Sequence, residues 1–186
     1  MFVFLDFEAS SLGKTGYPIE VAWVFADGRS ESHLISAAPG WTDWADDAEA
    51  IHHIDRATLE RDGTAHDVVA RRMVEALSGH DLFASAPSWD GKWLSALLRA
   101  AGLPRHSLRL RNTEDARRET MVAIIGPVVE PDALDDTVED LLTLADLRCC
   151  RGEPRHRALA DAEGEYQRWL LVKEAADAFV AQRRGG

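Results

Sequence analysis

The sequence predicts an α/β fold around a mixed sheet, on three observations. Three strand-like segments lead the chain, at residues 2–7, 19–25 and 32–37, rich in β-branched and aromatic residues. The dipeptide Asp27-Gly28 stands between the second and third and signals a tight turn, so those two strands run antiparallel. After them, helix-like and strand-like segments alternate, which lets a later strand return parallel to the first.

Each element has its local reason. Residues 45–51 and 55–62 read as short helices after a loop at 39–44, and 66–77 as an amphipathic one. Residues 81–85 form a short buried strand that Pro87 ends. A helix at 89–101 is closed by Gly102 and Pro104, and residues 107–111 supply a fifth strand. Helices at 114–125, ending at Gly126-Pro127, at 132–147 and at 158–182 complete the chain. No repeat or second-domain boundary is evident, so residues 1–186 are expected to form one domain.

Composition narrows the function classes. The 186 residues are 46% apolar and 28% charged, a globular balance. No apolar stretch approaches the ~20 residues of a membrane span, and the opening MFVFLD has no basic leader, so no membrane association is expected. The only cysteines, Cys149 and Cys150, are adjacent and lack ligand spacing; a reducing, cytoplasmic setting is the simple reading. The net charge of −11 argues against a broad basic face gripping duplex DNA, but not against an acidic site that handles nucleic acid through metal ions.

Asp6 and Glu8 are two apart on the first strand, so both carboxylates leave one face while Phe7 points the other way. Close carboxylates resist joint ionisation unless a cation lies between them, and hard divalent ions with oxygen ligands suit that role. An exposed strand end bearing two solvated acids is the plainer account of an isolated pair. Asp90 stands in the first turn after a strand, where the helix dipole alone would justify it, and where open α/β sheets also place ligands. His156 and Asp161 are five apart, about 140° around a helix. They converge only if His156 lies on the loop and Asp161 on the helix, an arrangement Pro154 favours. A loop histidine beside acids is a candidate general base, because an imidazole titrates near neutrality.

Together these pieces resemble the DEDDh family of 3′-5′ exonucleases, polymerase-proofreading-subunit-like members of the ribonuclease H-like fold. Asp6-Phe-Glu-Ala-Ser-Ser-Leu12 is similar to D-x-E-T-T-G-L, and Ala50-Ile-His-His-Ile-Asp55 contains a likeness of I-H-G-I-T. Ser85-Ala-Pro-Ser-Trp-Asp90 stands where the family often has H-N-A-x-F-D, and His156-Arg-Ala-Leu-Ala-Asp161 is close to H-R-A-L-x-D. The departures are Ala9 and Ser11 for threonine and glycine, His53 for glycine, and Ala86-Pro87 for Asn-Ala.

The resemblance implies a three-layer ribonuclease H-like fold, with a mixed five-stranded sheet and helices on both faces. It implies that Asp6, Glu8, Asp90 and Asp161 hold two Mg²⁺ or Mn²⁺ ions and that His156 is the general base. Ala9, Ser10, Leu12 and His52 would contact the terminal nucleotide. The implied reaction releases nucleoside 5′-monophosphates from 3′ ends of single-stranded DNA or RNA or from short oligonucleotides. A non-catalytic binding module of the same fold and a ribonuclease H-like endonuclease are the alternatives. The oligomeric state stays open, a homodimer included.

Other residues carry two readings each. Trp89 and Trp93 are four apart on one helix face and read as core before base-stacking platforms. Trp41 and Trp44 sit in a predicted loop, with stacking and packing evenly matched. Arg148, Arg151, Arg155 and Arg157 could steer phosphate or form a solvated patch. The acids from Glu130 to Asp140 read as a solvated helix face.

Overall fold

The computed structural model describes residues 1–149 and 156–184; Cys150, Arg151, Pro154 and Arg155 lie outside the described residues. The chain begins with β1 (Phe2–Ala9), β2 (Pro18–Phe25) and β3 (Ser30–Ser36). Helices α1 (Asp46–His52) and α2 (Arg56–Asp62) precede the two-residue β4 (Thr64–Ala65) and α3 (His66–Leu77). Then come β5 (Asp81–Ala84), α4 (Pro87–Ala100), β6 (Leu110–Asn112) and α5 (Thr113–Ile125). A 3₁₀ turn at Gly126–Val128 leads to α6 (Pro131–Arg148), and α7 (Ala158–Arg184) closes the described chain.

The strands lie in the order β4-β3-β2-β1-β5-β6. β2 and β3 form the expected antiparallel hairpin, β1 joins β2 antiparallel as well to complete a meander, and β5 returns parallel to β1 as expected. The sheet has six strands where the sequence suggests five. β4 is the addition, pairing only Thr64 and Ala65 with the end of β3, too short to show a period of two. The last strand is Leu110–Asn112 rather than 107–111, because its pairing partner β5 offers only Leu82 to Ala84. The helix around Trp89 begins earlier, at Pro87, which occupies a first-turn position where its missing N–H costs nothing.

Helices cover both faces of the sheet. Val3, Leu5 and Phe7 of β1 and Val21, Trp23 and Phe25 of β2 pack with Val69, Met73 and Leu77 of α3 and with Trp93, Leu97 and Leu98 of α4. On the other face Phe4 and Phe83 pack with Ala116 of α5 and Trp169 of α7. β2 lies between both layers and is buried along its whole length. The outer part of α5, α6 and the second half of α7 share a separate apolar cluster centred on Met121, Ile125, Val138 and Val172. On α6, Asp135 and Glu139 pair with Arg118 of α5, so the acidic stretch is a partly ion-paired, exposed face. No helix among the described residues is long and apolar enough to cross a membrane.

Candidate active site

Strand β1 positions the first two acids. Asp6 and Glu8 pair with Ala22 and Glu20 of β2, and the pairing register shifts between Glu8 and Ala9. Such a bulge bends the strand and ends its regular pairing next to the acids. Asp6 and Glu8 project on the α7 side, while Phe7 joins the core on the other, as the two-residue spacing requires.

Helix α7 brings the second pair. His156 precedes the helix in a left-handed conformation, φ 49°, and Asp161 lies in its first turn. The expected loop-and-helix arrangement is therefore present. Among the described residues, one ligand atom each from Glu8, His156 and Asp161 lie within 4.8 Å of one another. Asp90, in the first turn of α4, is 4% exposed. Its Oδ2 is buried without a hydrogen-bond partner among the described residues. A helix dipole explains an exposed first-turn acid, but not a buried carboxylate oxygen left open.

The charges act on each other. Burial pushes the Asp6 carboxyl well above its usual range, reinforced by the charges of Asp90, Glu8, Asp161 and Glu165. Burial pushes Glu8 up to about 8, with Asp161 and Glu20 adding to it and the Arg157 cation opposing. Burial raises Asp90 to about 6, against backbone N–H donors from Ala86 and Phe7. Such a cluster is short of positive charge. Its donors are hard oxygens with one imidazole, which fits Mg²⁺ or Mn²⁺ better than soft metals.

The residues expected to touch a terminal nucleotide fall into two groups. Leu12 is 69% exposed at the head of the loop after β1. Ala9 packs partly against the core. Ser10 is fully buried and is bound into the scaffold. Its Oγ accepts from the Tyr17 N–H at 3.1 Å, and its backbone exchanges bonds with Tyr17 and Ala45. Ser11 donates to Asp43 at 2.6 Å and accepts from the Gly13 N–H at 3.1 Å. Gly16 is needed here, since a Cβ at that position would meet the Ser11 carbonyl oxygen at 2.3 Å.

His52 is 2% exposed, beneath Trp44. Its Nδ1 accepts from the Ile54 N–H at 3.1 Å, which leaves the proton on Nε2. That buried Nε2 has no partner among the described residues. The next residue, His53, stands in left-handed backbone at φ 58°. That conformation explains why a glycine suits the position and makes the histidine a strained replacement.

The tryptophans divide. Trp93 is core, whereas Trp89 is 42% exposed and stacked on it, with the Lys92 ammonium over both rings. Lys92 also donates to the Gly13 carbonyl at 2.5 Å, tying α4 to the loop after β1. Trp41 stacks on Tyr17, and Trp44 donates to Glu49, so both pack rather than project.

Two acids escape a reading of the motifs. Glu165 lies one helical turn beyond Asp161, and its charge reaches Asp6. Its i+4 spacing from Asp161 was the available signal. Glu20 is the directly paired cross-strand neighbour of Glu8 and is 2% exposed. A lone charge inside the apolar run Pro18-Ile-Glu-Val-Ala-Trp-Val-Phe25 was its signal.

No family model matches this sequence, and no curated protein sequence does. Solved structures match in fold. The zinc-bound complex of E. coli exonuclease I with single-stranded DNA aligns over 93% of this chain and 40% of that one, with a TM-score of 0.65 and 14% identity. E. coli exonuclease I with a dA16 oligonucleotide aligns over 95% and 42%, with a TM-score of 0.64 and 13% identity. A moderately thermophilic exonuclease I from Methylocaldum szegediense aligns over 97% and 42%, with a TM-score of 0.66 and 17% identity. The chain spans less than half the length of these neighbours. At these identities the likeness is one of fold, and it agrees with the expected α/β class, a mixed sheet with helices on both faces.

Proposed function

We propose that the chain is a metal-dependent 3′-5′ exonuclease of the DEDDh type, acting as one exonuclease domain. It would release nucleoside 5′-monophosphates from single-stranded DNA or RNA or from short oligonucleotides. The observation that carries this reading is the convergence of Glu8, Asp161 and His156 within 4.8 Å, on a fold shared with exonuclease I, beside the raised carboxyls of Asp6 and Asp90. The complexes of that enzyme with single-stranded DNA support the substrate class.

Asp6, Glu8, Asp90 and Asp161 are the groups to hold two divalent cations, Mg²⁺ or Mn²⁺. Cations held there supply a water activated for attack on phosphorus and a counter-charge for the departing 3′ oxygen. A ring nitrogen of His156, exposed at the edge of the acids, takes the proton that the attacking water loses. The four carboxylates would fix the cations that in turn hold the reacting phosphate, and the apolar Leu12 side chain offers a surface to the terminal base. Ser10 and Ala9 shape the floor of that place through their backbone.

The test is a product ladder from 5′-labelled and 3′-labelled DNA and RNA in Mg²⁺, Mn²⁺ or EDTA. Stepwise shortening from the 3′ end, with 5′-monophosphates and no reaction in EDTA, is expected. Closed circular single strands should survive. Their cleavage at the linear rate would make the protein an endonuclease. Nucleic-acid binding without hydrolysis in either metal would make it a binding module.

A further inference from the structure

Glu20 has no part in the reaction just described, yet it is among the most completely engaged acids of the protein. It lies on β2 between apolar neighbours and is 2% exposed. A buried carboxylate is costly unless its oxygens are all answered. Here they are. Oε1 accepts from Arg157 Nη2 at 2.7 Å, and Oε2 accepts from Arg157 Nε at 3.1 Å. Oε2 also accepts from the Ala158 N–H at 3.0 Å. The fork-on-fork pairing with the guanidinium fixes both distance and plane, as a lysine could not. All three donors belong to consecutive residues where α7 begins.

The residue just before them is His156, in left-handed backbone at φ 49°. A non-glycine residue there costs about 1 kcal/mol or more and persists only where its surroundings impose it. Glu20 holds the next two residues, Arg157 and Ala158, against β2, and the His156 imidazole stands beside Glu8 and Asp161. Glu8 is in turn the cross-strand partner of Glu20, so clamp and site share one strand pair.

We propose that Glu20 is a positioning residue: by holding the Arg157 guanidinium and the Ala158 N–H, it sets the left-handed turn that places the His156 imidazole beside Glu8 and Asp161. This rests on the nuclease reading, in which His156 takes the proton. A clamp that acts through His156 has a signature that a merely structural ion pair lacks. Its removal should cost nothing further once the imidazole is gone.

The experiment is a double-mutant cycle on the full chain, read as steady-state hydrolysis of a short single-stranded oligonucleotide at saturating Mn²⁺. In the wild-type background Glu20→Gln is expected to lower kcat about 10- to 100-fold. KM should stay within about threefold, and Mn²⁺ binding by calorimetry should be retained. In the His156→Ala background the same change should cost less than about threefold. Arg157→Lys keeps the charge but loses the fork, and should show the same pattern more weakly; it carries the test if Glu20→Gln does not fold. Equal costs in both backgrounds, or no cost in the first, overturn the proposal while leaving the nuclease reading intact. A wild-type chain that hydrolyses no nucleic acid in either metal overturns the nuclease reading itself, and the positioning role with it.

Discussion

The two faces of β1 are built from the same strand at the same spacing and have opposite purposes. Val3, Leu5 and Phe7 meet α3 and α4 in continuous apolar packing. On the other face Phe2 and Phe4 lie under Tyr166 and Trp169, and then Asp6 and Glu8 take the next two places. Removing apolar area from water stabilises the first face by about 25 cal/mol per Å². Removing carboxylates from water does the reverse, which is why burial leads the causes that raise Asp6 and Glu8. Stability and chemistry are thus assigned to opposite sides of one strand, and the second side is tolerable because the first is so well packed.

That contrast can be broken first at its strongest point. Asp6→Asn should lower hydrolysis by about 10²–10³-fold or more. The metal-free variant should nevertheless melt higher than wild type, since one crowded negative charge is gone. A lower melting temperature would mean that this face is structural after all. Leu5→Ala, one residue away on the opposite face, should do the converse. It should destabilise by about 2–5 kcal/mol in denaturant titration, with the activity of the folded fraction unchanged.

The pH dependence of stability sharpens the comparison. Glu8 moves from an ordinary 4.5 to about 8 in the folded chain, and Asp90 from 3.8 to about 6. The folded protein therefore holds protons that the unfolded chain gives up. This contribution is fully present below pH 4 and is lost as pH rises, through about 6 for Asp90 and about 8 for Glu8. Melting of the metal-free protein should fall steadily from pH 5 to 8.5. Mg²⁺ or Mn²⁺ should restore it at the upper end, and Glu8→Gln should flatten the upper limb. A flat profile in wild type would deny that the acids are crowded.

The smallest effect concerns His53. Its φ of 58° strains a side chain that glycine would spare. His53→Gly should gain about 0.5–1 kcal/mol, net of the extra freedom glycine has when unfolded. Thermal melts of the two proteins decide it. A loss of stability would show that the exposed imidazole has contacts worth more than the strain.

What the sequence by itself determined is what local periodicity and local chemistry dictate. The hairpin of β2 and β3, the parallel return of β5, the shared face of Asp6 and Glu8, and the helical start of Asp90 all follow from spacing and turn residues within a few positions. The loop placement of His156 was legible because a helix cannot bring residues five apart together. Tertiary structure alone decided the rest. The two-residue β4 has no period to read. Whether Trp89 or Trp93 is the exposed partner depends on which side of α4 the sheet covers. Glu20 looks like a misplaced charge until α7, 138 residues further on, sets Arg157 and the Ala158 N–H against it. Only the folded chain can show a buried acid's partners, because pairing across that distance leaves no local pattern while its energetic need is absolute.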